Sequence, residues 1–350
     1  MLQLFTPAQL QQLVAKRSGE QRIGERVALA EPNQSLTGQL KLAANAGCRY
    51  VLLGIPEDIG PRANLGFGGA TDGWPAFLSK FLNLQANSFI AAEQILLLGQ
   101  IDCDDLQQQA PTTTDTGSLN KLRDLVAKLD QRVSEVVGAI FAAGLYPIVI
   151  GGGHNNSYPI LQALSTVSGR PANSANLDPH SDFRPMEGRH SGNGFSYAKA
   201  NGYLQHYFVL GLHELKNSAA TLEQLQQANA EFCSYQRIFV RQELSYAQAL
   251  DHCIDVVVQG EGEIGIEVDT DSISLMPVSA FTNCGLSVMQ AEQFVYRLAQ
   301  LPRSRYLHLA EAAPAQHPNG YKAGMNEAGQ VLAALTFAFI QGKQHQAPAI

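Results

Sequence analysis

Apolar runs and apolar periodicity divide the chain into alternating strands and helices. Short hydrophobic runs at Tyr50–Ile55, Ile95–Leu98, Leu145–Gly153, Tyr207–Leu212 and Ile238–Val240 read as buried strands. Three more runs end in polar chemistry: the approach to Asp178, the run to Glu267 from Ile264, and Arg305–Pro314. Between them, Leu122, Leu125, Leu129, Val133, Val137 and Ile140 recur every three or four residues, which predicts a core-facing helix over Leu119–Ala143 closed by Gly144. Helices are also predicted at Val288–Leu298 and Met325–Gly342, with a short one at Pro7–Val14. Strands alternating with helices predict an α/β sandwich with a mostly parallel sheet and its chemistry at the strand ends. A TIM barrel is the alternative, but eight regular β/α units are not evident.

Residues 1–43 read as an N-terminal extension packed on the body, covering a subunit surface or a sheet edge; 44–342 read as a single domain and 343–350 as a flexible tail. The loop after the first strand carries Gly60, Gly66, Gly68, Gly69 and Gly73, suited to tight turns over a pocket. It matches neither phosphate-binding glycine pattern, so a nucleotide is not expected.

The strand ends carry the chemistry. Asp178, His180 and Asp182 alternate, so in an extended chain they emerge on one side, about 6 to 7 Å apart. Glu267, Asp269 and Asp271 repeat that spacing, and His154 follows Gly151-Gly152-Gly153. Carboxylates so crowded repel one another unless they share cations. A calcium loop fits poorly, because its remaining ligand positions and closing glutamate are missing. Two imidazoles (His154, His180) with Asp178, Asp182, Glu267 and Asp269, and no thiolate, suit Mn²⁺ better than structural zinc. Six such ligands could hold two ions about 3.5 to 4 Å apart and ionise a water between them, which predicts a hydrolase.

Composition narrows the partners. The 350 residues are 45% hydrophobic and carry a net charge of −7 with no basic run, so nucleic acid is not an expected partner. Five scattered cysteines form neither a disulfide framework nor a zinc-finger spacing, and no stretch has the roughly 18 apolar residues of a membrane span. A soluble cytoplasmic protein acting on a small molecule is expected.

Five motifs in order, Gly151–Ser157 (GGGHNNS), Asn176–Arg184 (NLDPHSDFR), Ser191–Phe195 (SGNGF), Gly265–Asp271 (GIEVDTD) and Leu309–Pro314 (LAEAAP), resemble those of the ureohydrolase superfamily of arginases, agmatinases and formimidoylglutamases. The resemblance covers approximately Tyr50–Gly342. It implies a three-layer α/β/α domain with an eight-stranded parallel sheet, a homo-oligomer, and a two-manganese cluster supplying hydroxide to a guanidinium or formimidoyl carbon. By resemblance, His154 and Asp182 bind the first metal, His180 and Asp269 the second, and Asp178 bridges. Glu267 stands where the family has a bridging aspartate. Its extra methylene shifts the carboxylate by roughly 1 Å or more, so two ions are expected with the second resting on this residue.

The substrate follows from the loop after Asp182. Ser191-Gly192 resembles formimidoylglutamases, whereas arginases and agmatinases carry a proton-shuttling histidine there; His190, one residue earlier, is the candidate substitute. Arg184 and Asn193 are candidate substrate contacts, Arg184 for a carboxylate. Glu311 resembles the family's substrate-facing glutamate, and Asp269 would carry the proton to the leaving amine. The expected reaction is hydrolysis of N-formimidoyl-L-glutamate to L-glutamate and formamide. The alternatives are guanidino hydrolysis with release of urea, and an inactive arginase-like binding or assembly protein.

Overall fold

The computed structural model describes residues 1–113 and 115–346. Ten strands form one sheet: β1 (Leu2–Leu4), β2 (Ala28–Leu29), β3 (Tyr50–Gly54), β4 (Ile95–Ile101), β5 (Tyr146–Ile150), β6 (Ala172–Leu177), β7 (Leu204–Leu212), β8 (Glu231–Ser234), β9 (Ile264–Asp269) and β10 (Ser304–Ala310). Their order is β1-β4-β3-β5-β10-β9-β6-β7-β8, with β2 also against β4. The eight strands from β3 to β10 are all parallel, as expected. The other two come from the N-terminal segment: β2 adds in parallel, and β1 lies antiparallel on β4, so that Leu2 pairs with Ile101.

Strands β3 and β5 are buried on both faces, which is why those runs are continuously apolar. Alternate residues serve two cores. Tyr50, Leu52, Ile148, Ile150, Leu307 and Leu309 pack with the helices Gly73–Phe81, Tyr246–Val257, Val288–Ala299 and Tyr321–Gln344. Val51, Leu53 and Val149 pack on the opposite face with Leu36–Asn45, Thr116–Ala142 and Ser157–Ser168. This is the three-layer α/β/α sandwich. The longest predicted helix runs Thr116–Ala142, its N-terminus capped by Asp115, whose Oδ1 accepts the Ser118 N–H at 3.0 Å.

Two readings need correction. The stretch Ile238–Val240 is not a strand. It lies in a π-helical turn, Gln236–Val240, and the edge strand is Glu231–Ser234, whose half-exposed residues give no apolar run. The closing helix extends to Gln344, so the expected tail does not begin at 343; residues 347–350 of that tail lie outside the described residues. Lys343 is buried, its Nζ donating to the Ser304 carbonyl and lying 4.7 Å from the centre of the Tyr146 ring. All five cysteines are free, and among the described residues no helix is long and apolar enough to cross a membrane.

The chain crosses between sheet halves after β5, passing over the places later filled by β10 and β9 to reach β6. The four strands β5, β10, β9 and β6 are therefore adjacent at this switch point, where open α/β sheets bind ligands beyond their carboxyl ends.

Burial, then the charges of Arg305 and Arg49, lower the Lys343 amine to about 7 from 10.5. Between these values the unfolded chain binds the extra proton, so stability should rise with pH. Lys343→Met should flatten this rise, read as the change in Tm between pH 7 and pH 9; equal slopes in parent and variant would refute it.

Candidate metal centre

Each of the four central strands delivers its site residue where the regular backbone stops. After β5 the chain turns through Gly151 (φ +88°) and Gly152 (φ +71°). A Cβ on Gly152 would lie 2.4 Å from Asn156 Nδ2 and 2.9 Å from Glu57 Oε1, so only glycine fits. The buried Glu57 clamps this turn, its Oε1 accepting the Gly153 N–H at 2.7 Å and Asn156 Nδ2 at 2.9 Å. His154 follows, fully buried. After β6 come Asp178, His180 and Asp182, the last with φ +47°; after β10 comes Glu311 with φ +67°. Both non-glycine residues hold a left-handed backbone that the surrounding packing has to enforce.

Strand register decides which carboxylates meet. Glu267 is level with Asn176 of β6 and His308 of β10, and Asp269 is level with Ala310, at the height where Asp178 follows β6. Glu267 thus lies one layer, about 6 to 7 Å, below the rim. The observed clusters follow. His154 Nδ1 lies 3.3 Å from Asp178 Oδ2, 2.8 Å from Asp182 Oδ2 and 3.5 Å from Asp269 Oδ2. His180 Nδ1 lies 3.4 Å from Asp178 Oδ1 and 3.9 Å from Asp271 Oδ2. Ligand atoms of His154, Asp178, Asp182 and Asp269 converge within 4.8 Å of one another, as do those of His180, Asp269 and Asp271. Asp269 is common to both groups, and Asp271 joins the second. Glu267 forms a separate group with His154 and His308.

The donor set fits divalent cations. Both nitrogens of His154, Asp182 Oδ2 and Asp271 Oδ1 are buried without a hydrogen-bond partner, although His154 Nδ1 and Asp182 Oδ2 are only 2.8 Å apart. Convergent lone pairs at that spacing are what ligands around an ion present. Protonation behaviour agrees. Burial and the Asp178 charge push Asp182 up to about 7. Burial and Asp269 push Asp271 well up, and burial with Asp269 and Asp271 does the same to Glu311. Burial alone would lower His154, yet the surrounding carboxylates hold it well above its ordinary range. The cluster lacks positive charge. Glu267 differs: despite burial, His308 and His154 hold it down to about 2.

Above the cluster is a cavity of ≈ 390 Å³ lined by His180, Asp182, Asp269, Asp271 and Glu311 at its floor and by Arg184, Ser191, Lys216 and Asn64 among its walls. Arg184 NH1 donates to Asn64 Oδ1 at 2.8 Å. Glu311 Oε1 accepts the His154 N–H at 2.8 Å. Lys216, in the loop after β7, carried no sequence signal beyond its charge.

Two expected site residues do not reach the cavity. His190 is fully buried; its Nδ1 accepts the Gly192 N–H at 3.1 Å. Burial, with the charges of Arg184, Arg123 and Arg189, lowers it to about 3. Asn193 is also buried. Its Oδ1 accepts from Arg189 NH1 at 2.7 Å and the His190 N–H at 3.1 Å, and its amide donates to Gly188 O at 2.8 Å. Both organise the loop. Its anchor is a pair missed in the sequence: Arg189 Nε donates to Asp130 Oδ2 at 2.8 Å, and its guanidinium lies between the Tyr158 and Tyr197 rings at 4.7 and 4.9 Å.

The chain belongs to the arginase family, whose sequence model matches residues 48–338. It is a metal-dependent hydrolase of that family, acting on C–N bonds. Among its relatives, the formimidoylglutamase of Streptococcus pyogenes is 26% identical over 296 residues, covering 80% of this chain and 82% of that protein. The fold is similar to that of the Trypanosoma cruzi formiminoglutamase with Mn²⁺, with TM-score 0.70 and 19% identity over 94% of this chain and 100% of that one. It is also similar to that of the Bacillus subtilis formimidoylglutamase, with TM-score 0.74 and 17% identity over 95% of each chain.

Asp178→Asn should lose most bound Mn²⁺ on gel filtration, whereas His190→Ala should retain it and keep the shape of its pH–rate profile between pH 6 and 9. Loss of either limb of that profile in His190→Ala would make His190 a proton carrier after all.

Proposed function

We propose that this protein hydrolyses N-formimidoyl-L-glutamate to L-glutamate and formamide with two Mn²⁺ ions per chain. His154, Asp178, Asp182 and Asp269 would hold one ion and His180, Asp178, Asp269 and Asp271 the other. Oxygen-rich ligation with one imidazole on each favours manganese over magnesium. The ions would supply Lewis-acid charge and make a coordinated water acidic enough to ionise near neutrality.

The observation that carries the substrate assignment is the division of charge in the cavity. Its floor is acidic, and its walls offer two cations, Arg184 and Lys216. Lys216 makes no ion pair among the described residues. N-Formimidoyl-L-glutamate has the complementary arrangement: a cationic formimidoyl group at one end and two carboxylates at the other. Arg184 presents a planar fork to one carboxylate and Lys216 a point charge to the second. Glu311, with Oε1 engaged by the His154 N–H, keeps Oε2 for the formimidoyl nitrogens. Glu311 lines the cavity. Asp269 carries the proton to the departing amine, with Asp182 beside it on the same floor. Guanidino substrates without a second carboxylate leave one wall cation unpaired. The formimidoylglutamase relatives support the same choice. Free thiols suit a reducing cytoplasm, and a homo-oligomer remains part of this reading.

Formamide from formimidoylglutamate should exceed urea from arginine or agmatine in a direct assay of the manganese-loaded protein; urea as the main product would discard the substrate while leaving the metal centre. Arg184→Ala and Lys216→Ala should each lower kcat/KM for formimidoylglutamate by about 10²-fold, a loss of roughly 2 to 3 kcal/mol. Chelation should abolish turnover, and Mn²⁺ should restore it better than Mg²⁺.

A further inference from the structure

One layer below the rim, the sheet face toward the helix Thr116–Ala142 is polar where the neighbouring strands are apolar. Ser174 and Asn176 of β6, Glu267 of β9, and Tyr306 and His308 of β10 are all fully buried there. Glu267 is at the centre. Its Oε1 accepts the Tyr306 hydroxyl at 2.5 Å, and its Oε2 lies 2.7 Å from His308 Nδ1. The same Oε2 lies 3.4 Å from His154 Nε2. An ionised carboxylate is costly to bury unless donors surround it, and here one hydrogen bond reaches each oxygen, with the His154 ring nitrogen close by.

His154 therefore faces two carboxylate sets, one from each ring nitrogen. Nδ1 looks up to Asp178, Asp182 and Asp269, and Nε2 looks down to Glu267. A neutral imidazole has one N–H and one lone pair. A carboxylate opposite Nε2 favours the proton there and leaves the Nδ1 lone pair for a cation, so the two neighbourhoods select one tautomer. The longer side chain matters: an aspartate at 267 would draw its carboxylate back by roughly 1.5 Å.

We propose that Glu267, braced by Tyr306 and His308, is a positioning residue that fixes the ring orientation and tautomer of His154 and strengthens it as a ligand, without touching the ions. This rests on the two-ion reading above. Register supports it, because Glu267 is level with Asn176 and His308, below the ligand layer. Both Glu267 oxygens are already engaged, Oε1 by the Tyr306 hydroxyl and Oε2 by His308 Nδ1, whereas Asp182 Oδ2 has no hydrogen-bond partner; the lower group is therefore read as a network and the upper one as the ligand set.

The test is calorimetric titration of the metal-stripped protein with Mn²⁺, with bound metal counted by mass spectrometry and the metal-free melting temperature measured in parallel. The parent should take two ions per chain. Glu267→Gln should still take two at saturation, with one binding step weakened about 10- to 100-fold. Tyr306→Phe, which leaves the carboxylate in place, should weaken the same step by a smaller factor and carries the test if Glu267→Gln fails to fold. A drop to one ion per chain would make Glu267 a ligand and overturn the proposal. Unchanged affinities with a lowered metal-free melting temperature would overturn it too, leaving the network purely structural. A parent that takes up no Mn²⁺ would remove the two-ion reading and this proposal together, before any variant is made.

Discussion

The constraint on which this structure depends is electrostatic: six carboxylates and three imidazoles gathered, mostly buried, at the centre of one sheet edge. Asp178, Asp182, Asp269, Asp271, Glu267 and Glu311 are each less than a tenth exposed. In a medium of low polarity, like charges at such separations cannot all persist, so the assembly holds together only by taking up positive charge. The fold is arranged to permit this. Flanking strands are apolar on both faces, and the stiffness of that frame keeps mutually repelling groups from drifting apart. Within the sheet, buried polar side chains concentrate on β6, β9 and β10, beside the clustered carboxylates.

Much of this was legible in the sequence. Continuous apolar runs marked the parallel strands, and the period of Leu122, Leu125, Leu129 and Val133 marked the longest helix, because burial on both faces or along one stripe leaves a strong pattern. The short strands β1, β2 and β8 left none; two to four residues, half-buried or partly exposed, do not make a run. Alternation showed that Glu267, Asp269 and Asp271 share a face. It could not show their height, which is set by pairing with β6 and β10, a property of register across the sheet. Which of the three stand beside Asp178 is therefore decided by register and not by spacing.

The loop after Asp182 was harder to read for a different reason. His190 and Asn193 are polar residues in a loop beside the site, where side chains often meet ligands. Here both turn inward, because Arg189 runs beneath the loop to Asp130 and needs acceptors along its way. That long-range pair lies fifty-nine positions apart and has no local signature. The groups left to face the cavity are Arg184 and Ser191, joined by Lys216 from a loop that carried no motif.

The left-handed backbone at Asp182 bears on how such a centre can change over time. At φ +47° the residues that sit with little strain are glycine, asparagine, aspartate and histidine. Two of these ligate divalent ions strongly and two do so poorly or not at all. Drift at this position is thus channelled by the backbone before selection for chemistry begins. A step to histidine keeps the turn and exchanges a hard oxygen for a borderline nitrogen, shifting preference toward later first-row metals. A step to glutamate keeps the chemistry but strains the turn. The conformation of one residue in this way limits which metals a descendant of this site could adopt in a single substitution.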